Sequence, residues 1–244
     1  MTSAAAPLEG RVVALAGAGG SLGPILARAL ADQGAVLGLA DRSAEQLDAL
    51  VEQLDLPAER IDAATPDLLD PAAAAAWAAR LQERFGRVDG LVHAVGGWRG
   101  GRAIAEAPLE DWAFLEGLLV RTVQHTTRAF HAALSASGRG RFVLVSAKQA
   151  VRPTGDNAAY AAAKAAAETW TYALAQEWGA AKSGATANVV AINALVTPRM
   201  RAESPEKEFL TFTDADEVAT AIAYLLSDAA RKVNGQRLAL YANA

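Results

Sequence analysis

Cysteine is absent from the 244-residue chain, which removes disulfide frameworks, Cys-ligated zinc and thiol catalysis together. A large excess of charge of one sign is missing too. The 23 Lys plus Arg stand against 27 Asp plus Glu, a formal net charge of −4, and no basic block occurs. A mildly acidic chain of this kind argues against nucleic acid as a partner. Long hydrophobic runs are also lacking: alanine inflates the 52% hydrophobic fraction, and no uncharged stretch reaches the ~18 residues that span a bilayer. No membrane partner is therefore expected. The opening MTSAAAPLEG has neither a basic nor an apolar leader region, which reads as no signal peptide and a cytoplasmic protein. Histidines occur only at 93, 125 and 131. No pair of them has metal-ligand spacing, so they read as structural, and no metal is expected. His93 is read as a strand-end residue on the adenosine side of the ligand crevice.

What is present is a regular alternation. Short apolar runs at 11–17, 35–41, 88–94, 140–146, 185–193 and 235–241 read as buried strands, with a weaker one near Arg60 to Ala64. Continuous apolar runs of this length suit a parallel sheet covered on both faces. Helix patterns lie between them at about 21–33, 43–53, 71–85, 109–136, 157–181 and 214–227, and Ser43, Asp70 and Asp214 stand at N-cap positions. Strand–helix alternation requires right-handed crossovers. The expected fold is therefore α/β, one Rossmann-like doubly wound domain over residues 1–244 with about seven strands and six or more helices.

The first strand runs into AGAGGSLG, residues 16–23. A glycine-rich turn opening a helix lets backbone N–H groups approach a pyrophosphate, so Gly17, Gly19, Ser21, Leu22 and Gly23 are cofactor candidates. The second strand ends at Asp41, 18 residues after Gly23. A carboxylate there accepts from both hydroxyls of an adenosine ribose and repels a 2′-phosphate, which favours NAD(H) over NADP(H). The adjacent Arg42 could hold a phosphate or be a solvated surface residue, and Asp67-Leu68 are placed to meet the adenine edge. Further on, Tyr160-Ala-Ala-Ala-Lys164 puts a phenol and an ammonium one turn apart on one helix face. A nearby ammonium stabilises a tyrosinate, which would make Tyr160 a general acid or base with a lowered pKa.

These elements resemble the short-chain dehydrogenase/reductase family over essentially the full chain. AGAGGSLG stands where that family has TGxxxGxG, with Ala16 for Thr and Ser21 for the middle Gly. HAVG at 93–96 stands for its NNAG motif, which implies cofactor contacts at Ala94, Val95 and Gly96. The resemblance implies that Tyr160 transfers the proton, that Lys164 also holds the ribose, and that Thr197 meets the nicotinamide amide. Two positions depart from the pattern. The family serine, 13 residues before the tyrosine, is here Ala147, and its helix asparagine aligns with Leu119. Ser146 is adjacent to Ala147, but one step along a strand turns a side chain to the opposite face. The dihydropteridine reductase branch looks like this chain at those places, with Gly96-Gly97-Trp98 after the fourth strand and Ala147-Lys148 in the serine position. That likeness implies NADH, a small planar substrate and a stacking face at Trp98. The alternatives are a carbonyl or 3-oxoacyl reductase lacking the serine, and a catalytically silent dinucleotide-binding protein. Ala161 to Ala163, Ala165 to Ala167, Trp170 and Trp178 exceed what one buried helix face requires. With the family's habit of pairing these helices, they imply a homodimer or homotetramer.

Overall fold

A run that is apolar at every position has no solvent face, and it folds where neighbours cover both sides. The computed structural model shows this outcome and describes residues 6–241. Residues 1–5, which hold half of the opening stretch read for a leader, lie outside the described residues, as do 242–244. The strands are β1 (Val12–Ala16), β2 (Val36–Ala40), β3 (Ile61–Ala64), β4 (Gly90–His93), β5 (Arg141–Ala147), β6 (Thr186–Ile192), β7 (Leu195–Val196), β8 (Thr213–Asp214) and β9 (Arg237–Ala239). Seven form one sheet in the order β3-β2-β1-β4-β5-β6-β9, every pair parallel. β7 and β8 make a separate two-residue ladder. The sheet grows outward from β1 to β3, then resumes on the other side at β4. The ends of β1 and β4 therefore flank the topological switch point where ligands bind in such sheets.

Eight α-helices cover the sheet among the described residues: α1 (Gly23–Asp32), α2 (Ala44–Leu54), α3 (Pro71–Phe85), α4 (Glu110–Glu116), α5 (Thr122–Ala136), α6 (Ala158–Ala180), α7 (Pro198–Glu203) and α8 (Ala215–Leu226). α1, α2 and α8 pack with Val13, Leu15, Val143 and Val190 on one face. α3, α5 and α6 pack with Leu91, Phe142, Leu144 and Val189 on the other. There Trp77 meets Phe130 edge-on at 4.9 Å, the arrangement the ring quadrupoles favour. The Ser43 hydroxyl and the Asp70 carboxylate accept from Gln46 N–H and Ala72 N–H, capping α2 and α3 as the sequence indicates. Asp214 precedes α8 without a side-chain cap, because Arg201 engages its carboxylate at 2.9 Å.

The helix expected over 109–136 is interrupted. Residues Gly117–Arg121 form a π-helical turn between α4 and α5, and the Thr122 hydroxyl donates to the Leu118 carbonyl at 2.6 Å. Such a turn bends a helix, and it places the buried Leu119 against Tyr160 and Ala163. The expected strand at 235–241 keeps only three residues, since β9 is an edge with one neighbour and Gly235 turns at φ +67° just before it. Trp178, Ala163 and Ala167 do not lie on a free helix face; they are buried in this chain's own core.

Candidate active site

The turn from β1 into α1 depends on missing Cβ atoms. Gly17 sits at φ +86°, and a Cβ there would lie 2.8 Å from the backbone of Ala94 and Val95. Only glycine lets the turn rest against the end of β4. At Gly19 a Cβ would lie 2.8 Å from Gln46 Oε1 and 3.1 Å from Asp41 Cγ. Gly23 would collide with the Ala18 carbonyl oxygen at 2.0 Å; it seats the turn on the helix and is absent from the crevice wall. At the end of β2, Asp41 accepts from Gly19 N–H at 2.9 Å and from Ser43 N–H at 3.2 Å. A carboxylate is thereby fixed beside the glycine turn.

Two cavities meet at this turn and share Gly20, Ser21, Ala94, Val95 and Gly96. The first, about 340 Å³, is lined by Gly17, Gly19, Asp41, Arg42, Asp67 and Leu68. The second, about 990 Å³, is lined by Leu22, Trp98, Ala147, Lys148, Tyr160 and Lys164. Sequence positions from 17 to 164 thus line one crevice across the strand ends. Its shape and lining fit a dinucleotide: a cradle that side chains would fill, a helix N-terminus, and a carboxylate at one end. Asp67 turns back on its own backbone, accepting from Leu69 N–H at 2.9 Å. Thr197 lines neither cavity, since its hydroxyl caps α7 by accepting from Met200 N–H at 3.2 Å.

Burial governs the second cavity. Lys164 is 6% exposed, and its Nζ donates to the Val145 carbonyl at 3.0 Å. Desolvation lowers its pKa to about 8, against the pull of Glu168. The lowered tyrosine expected from the sequence is not found. Burial pushes the Tyr160 hydroxyl up to about 12 with no offset from Lys164, whose ammonium is drawn to the β5 backbone instead. Ser146 shares the parity of Phe142 and Leu144, which face α5 and α6. The residue borders the second cavity, but its Oγ is buried without a hydrogen-bond partner, turned by strand alternation to the face opposite the Ala147 side chain. His93 stands at the end of β4, as expected, but lines neither cavity, and burial with the charge of Lys164 lowers it to about 3. It is neutral at physiological pH. His125 donates from Nδ1 to the Leu68 carbonyl at 2.9 Å, and His131 accepts from Trp178 Nε1 at 3.2 Å. No metal-ligating cluster occurs among the described residues.

The family model described as enoyl-(acyl carrier protein) reductase matches residues 17–240. The chain belongs to the short-chain dehydrogenase/reductase family. It is an NAD(P)-dependent oxidoreductase of that type. D-threitol dehydrogenase of Mycolicibacterium smegmatis is 30% identical, covering 96% of this chain and 92% of its own. A crystal structure of levodione reductase superposes with a TM-score of 0.85 at 28% identity, covering 96% of this chain and 97% of that one. A gluconate 5-dehydrogenase from Burkholderia cenocepacia, solved with NADP and tartrate, gives 0.84 at 25% identity over 97% and 96% of the two chains. Within the family pattern, the structure puts Ala147 at the crevice and the apolar Leu119 inside the π turn.

Several lining residues escaped the sequence reading. Gln46, Pro66 and Thr122 line the first cavity, and Gln149, Arg152, Asp156 and Asn157 the second. Gln46 was legible as the third residue of a capped helix, but its approach to Gly19 depends on how α2 packs. The segment from 149 to 157 carries no periodic pattern and is placed only by the path from β5 to α6. Among the described residues no helix is long and apolar enough to cross a membrane.

Proposed function

We propose that this protein is an NADH-dependent reductase acting on a small, planar, conjugated acceptor such as a quinonoid dihydropterin. Asp41 supports the cofactor choice, because its carboxylate lines the cavity that would take the adenosine ribose and would repel a 2′-phosphate. The turn at Gly17 to Leu22 and the N-terminus of α1 would hold the pyrophosphate, and Lys164 the second ribose. Bound NADH supplies a hydride. Tyr160 supplies the proton: with its hydroxyl pushed up to about 12 it stays protonated at neutral pH and acts as the acid in the reductive direction. The tyrosinate left behind would draw the Lys164 ammonium from its resting bond to the Val145 carbonyl, and the apolar cluster of Leu119 packs against Tyr160.

The observation that carries the substrate class is Ala147. It lines the crevice 13 residues before Tyr160 and offers no hydroxyl to a substrate oxygen. A quinonoid acceptor needs no second donor of that kind, and Trp98, 59% exposed at the rim, offers it a stacking face. The relatives named as levodione reductase and D-threitol dehydrogenase favour a second reading, a carbonyl reductase with an atypical site. Ala147→Ser separates the two. On the first reading, the new donor raises activity on simple ketones up to about a hundredfold, equivalent to ~2–4 kcal/mol, and leaves quinonoid dihydropterin turnover unchanged or slightly slower. A parent enzyme that already reduces ketones briskly, with no gain from the substitution, would falsify the first reading.

A further inference from the structure

Glu168 lies one turn beyond Lys164 on α6 and is 3% exposed. Its carboxylate accepts from Arg237 Nε at 3.0 and 3.2 Å and from the Tyr172 hydroxyl at 3.2 Å. Arg237 arrives from β9, 69 residues along the chain, and its whole guanidinium is engaged. Nη2 donates to the Ala147 carbonyl at 3.0 Å and Nη1 to the Tyr241 hydroxyl at 2.5 Å. Lys164, Glu168 and Arg237 thus form a buried series of alternating charge beneath the crevice. The same arginine ties down the strand end at which Ala147 stands.

A buried carboxylate requires a counter-charge, and Arg237 provides it. That pairing alone does not account for a lysine one turn away. An ammonium as buried as Lys164 is driven toward its neutral form unless negative charge lies nearby. The groups facing it from the packed elements are the Val145 carbonyl of β5, His93 of β4, and Tyr160 and Glu168 of α6. His93 and Tyr160 are both neutral near pH 7. The carboxylate of Glu168 is the negative charge acting on the ammonium.

We propose that Glu168 and Arg237 are positioning residues for Lys164. The carboxylate holds the buried lysine in its ammonium form, and Arg237 sets how much of that negative charge the lysine feels while fixing Ala147 in the same frame. The functional consequence rests on the role given above to Lys164; the electrostatic claim does not.

The 13Cε resonances of the five lysines, followed by NMR through a pH titration of the cofactor-free protein and assigned with Lys164→Arg, test the electrostatic claim directly. In Glu168→Gln the Lys164 midpoint is expected to fall by about one pH unit. In Arg237→Met it is expected to rise, because the carboxylate loses its partner. Should either single variant fail to fold, the double Glu168→Gln/Arg237→Met removes both charges at once, a change buried pairs tolerate, and its Lys164 midpoint is expected below the parent's. A midpoint unmoved in Glu168→Gln or in the double overturns the proposal, and a fall in Arg237→Met overturns the role of the arginine. The high-pH limb of the pH–rate profile should move acid-ward in Glu168→Gln by the same interval. Midpoints that shift while that limb stays still leave the charge series intact and instead refute the catalytic role of Lys164.

Discussion

The two halves of the crevice are built on opposite principles. Around Asp41, polar groups are satisfied by backbone close in sequence or at the adjoining turn: Gly19 N–H and Ser43 N–H for Asp41, Leu69 N–H for Asp67. Around Lys164, by contrast, polar groups are buried and short of partners. The Ser146 hydroxyl and both His93 ring nitrogens have none, and burial displaces the pKa values of Lys164 and Tyr160. The first half is prepared to receive a ligand at little cost in stability. The second holds desolvated groups in the less stable arrangement that the proton transfer proposed above would use.

The sharpest way to test this contrast is Tyr160→Phe. It should lower turnover by about 10²–10⁴-fold while NADH affinity, read by fluorescence titration, stays close to the parent's. An unimpaired variant would show that the chemistry does not pass through this hydroxyl.

Lys164→Met probes the stability side. Burial lowers the lysine from 10.5 to about 8, so near neutral pH its charge costs folding about 3 kcal/mol at 1.36 per pH unit. The variant should abolish activity yet resist urea better than the parent at pH 7. The sign follows from proton linkage. The unfolded chain holds this proton more tightly than the folded one, so the parent gains stability as pH rises through 8 toward 10.5. The gap between parent and variant should therefore narrow over that range. A gap that widens with pH would contradict the assignment of strain to Lys164.

On the Asp41 side the expected effects are smaller. The parent should prefer NADH over NADPH by at least about tenfold in kcat/KM, or ~1.4 kcal/mol, and Asp41→Ala should narrow that preference. Equal use of both cofactors by the parent would remove the argument from Asp41. Assembly should disturb both halves least. A groove between α5 and α6, lined by Arg128, His131, Ala132, Trp170 and Ala173, is the face we expect to pair about a two-fold axis. Light scattering at micromolar concentration should give a multiple of 25.3 kDa; a mass of 25.3 kDa itself rejects pairing.

Local pattern was enough to read the strands β1 to β6, the caps at Ser43 and Asp70, the glycine turn and the Tyr160–Lys164 spacing. Each depends on neighbours within a few residues, where periodicity and side-chain chemistry act directly. The π turn at Gly117–Arg121 was not legible, because it changes a helical pattern by a single residue and is held by packing against α6. The direction of the Tyr160 shift was not legible either. Spacing shows that an ammonium is near a phenol, but only the packed structure shows how much water has been removed and where Lys164 Nζ donates. The seat of His93 beside Lys164, and the reach of Arg237 from β9 to Ala147 and Glu168, are likewise tertiary facts. The sequence by itself determined the order of elements and which residue types lie at the strand ends, since these follow from short-range pattern. Burial, and with it the charge state of the groups at the reacting end, was decided only when distant segments closed over them, because desolvation depends on everything that surrounds a group and not on its neighbours along the chain.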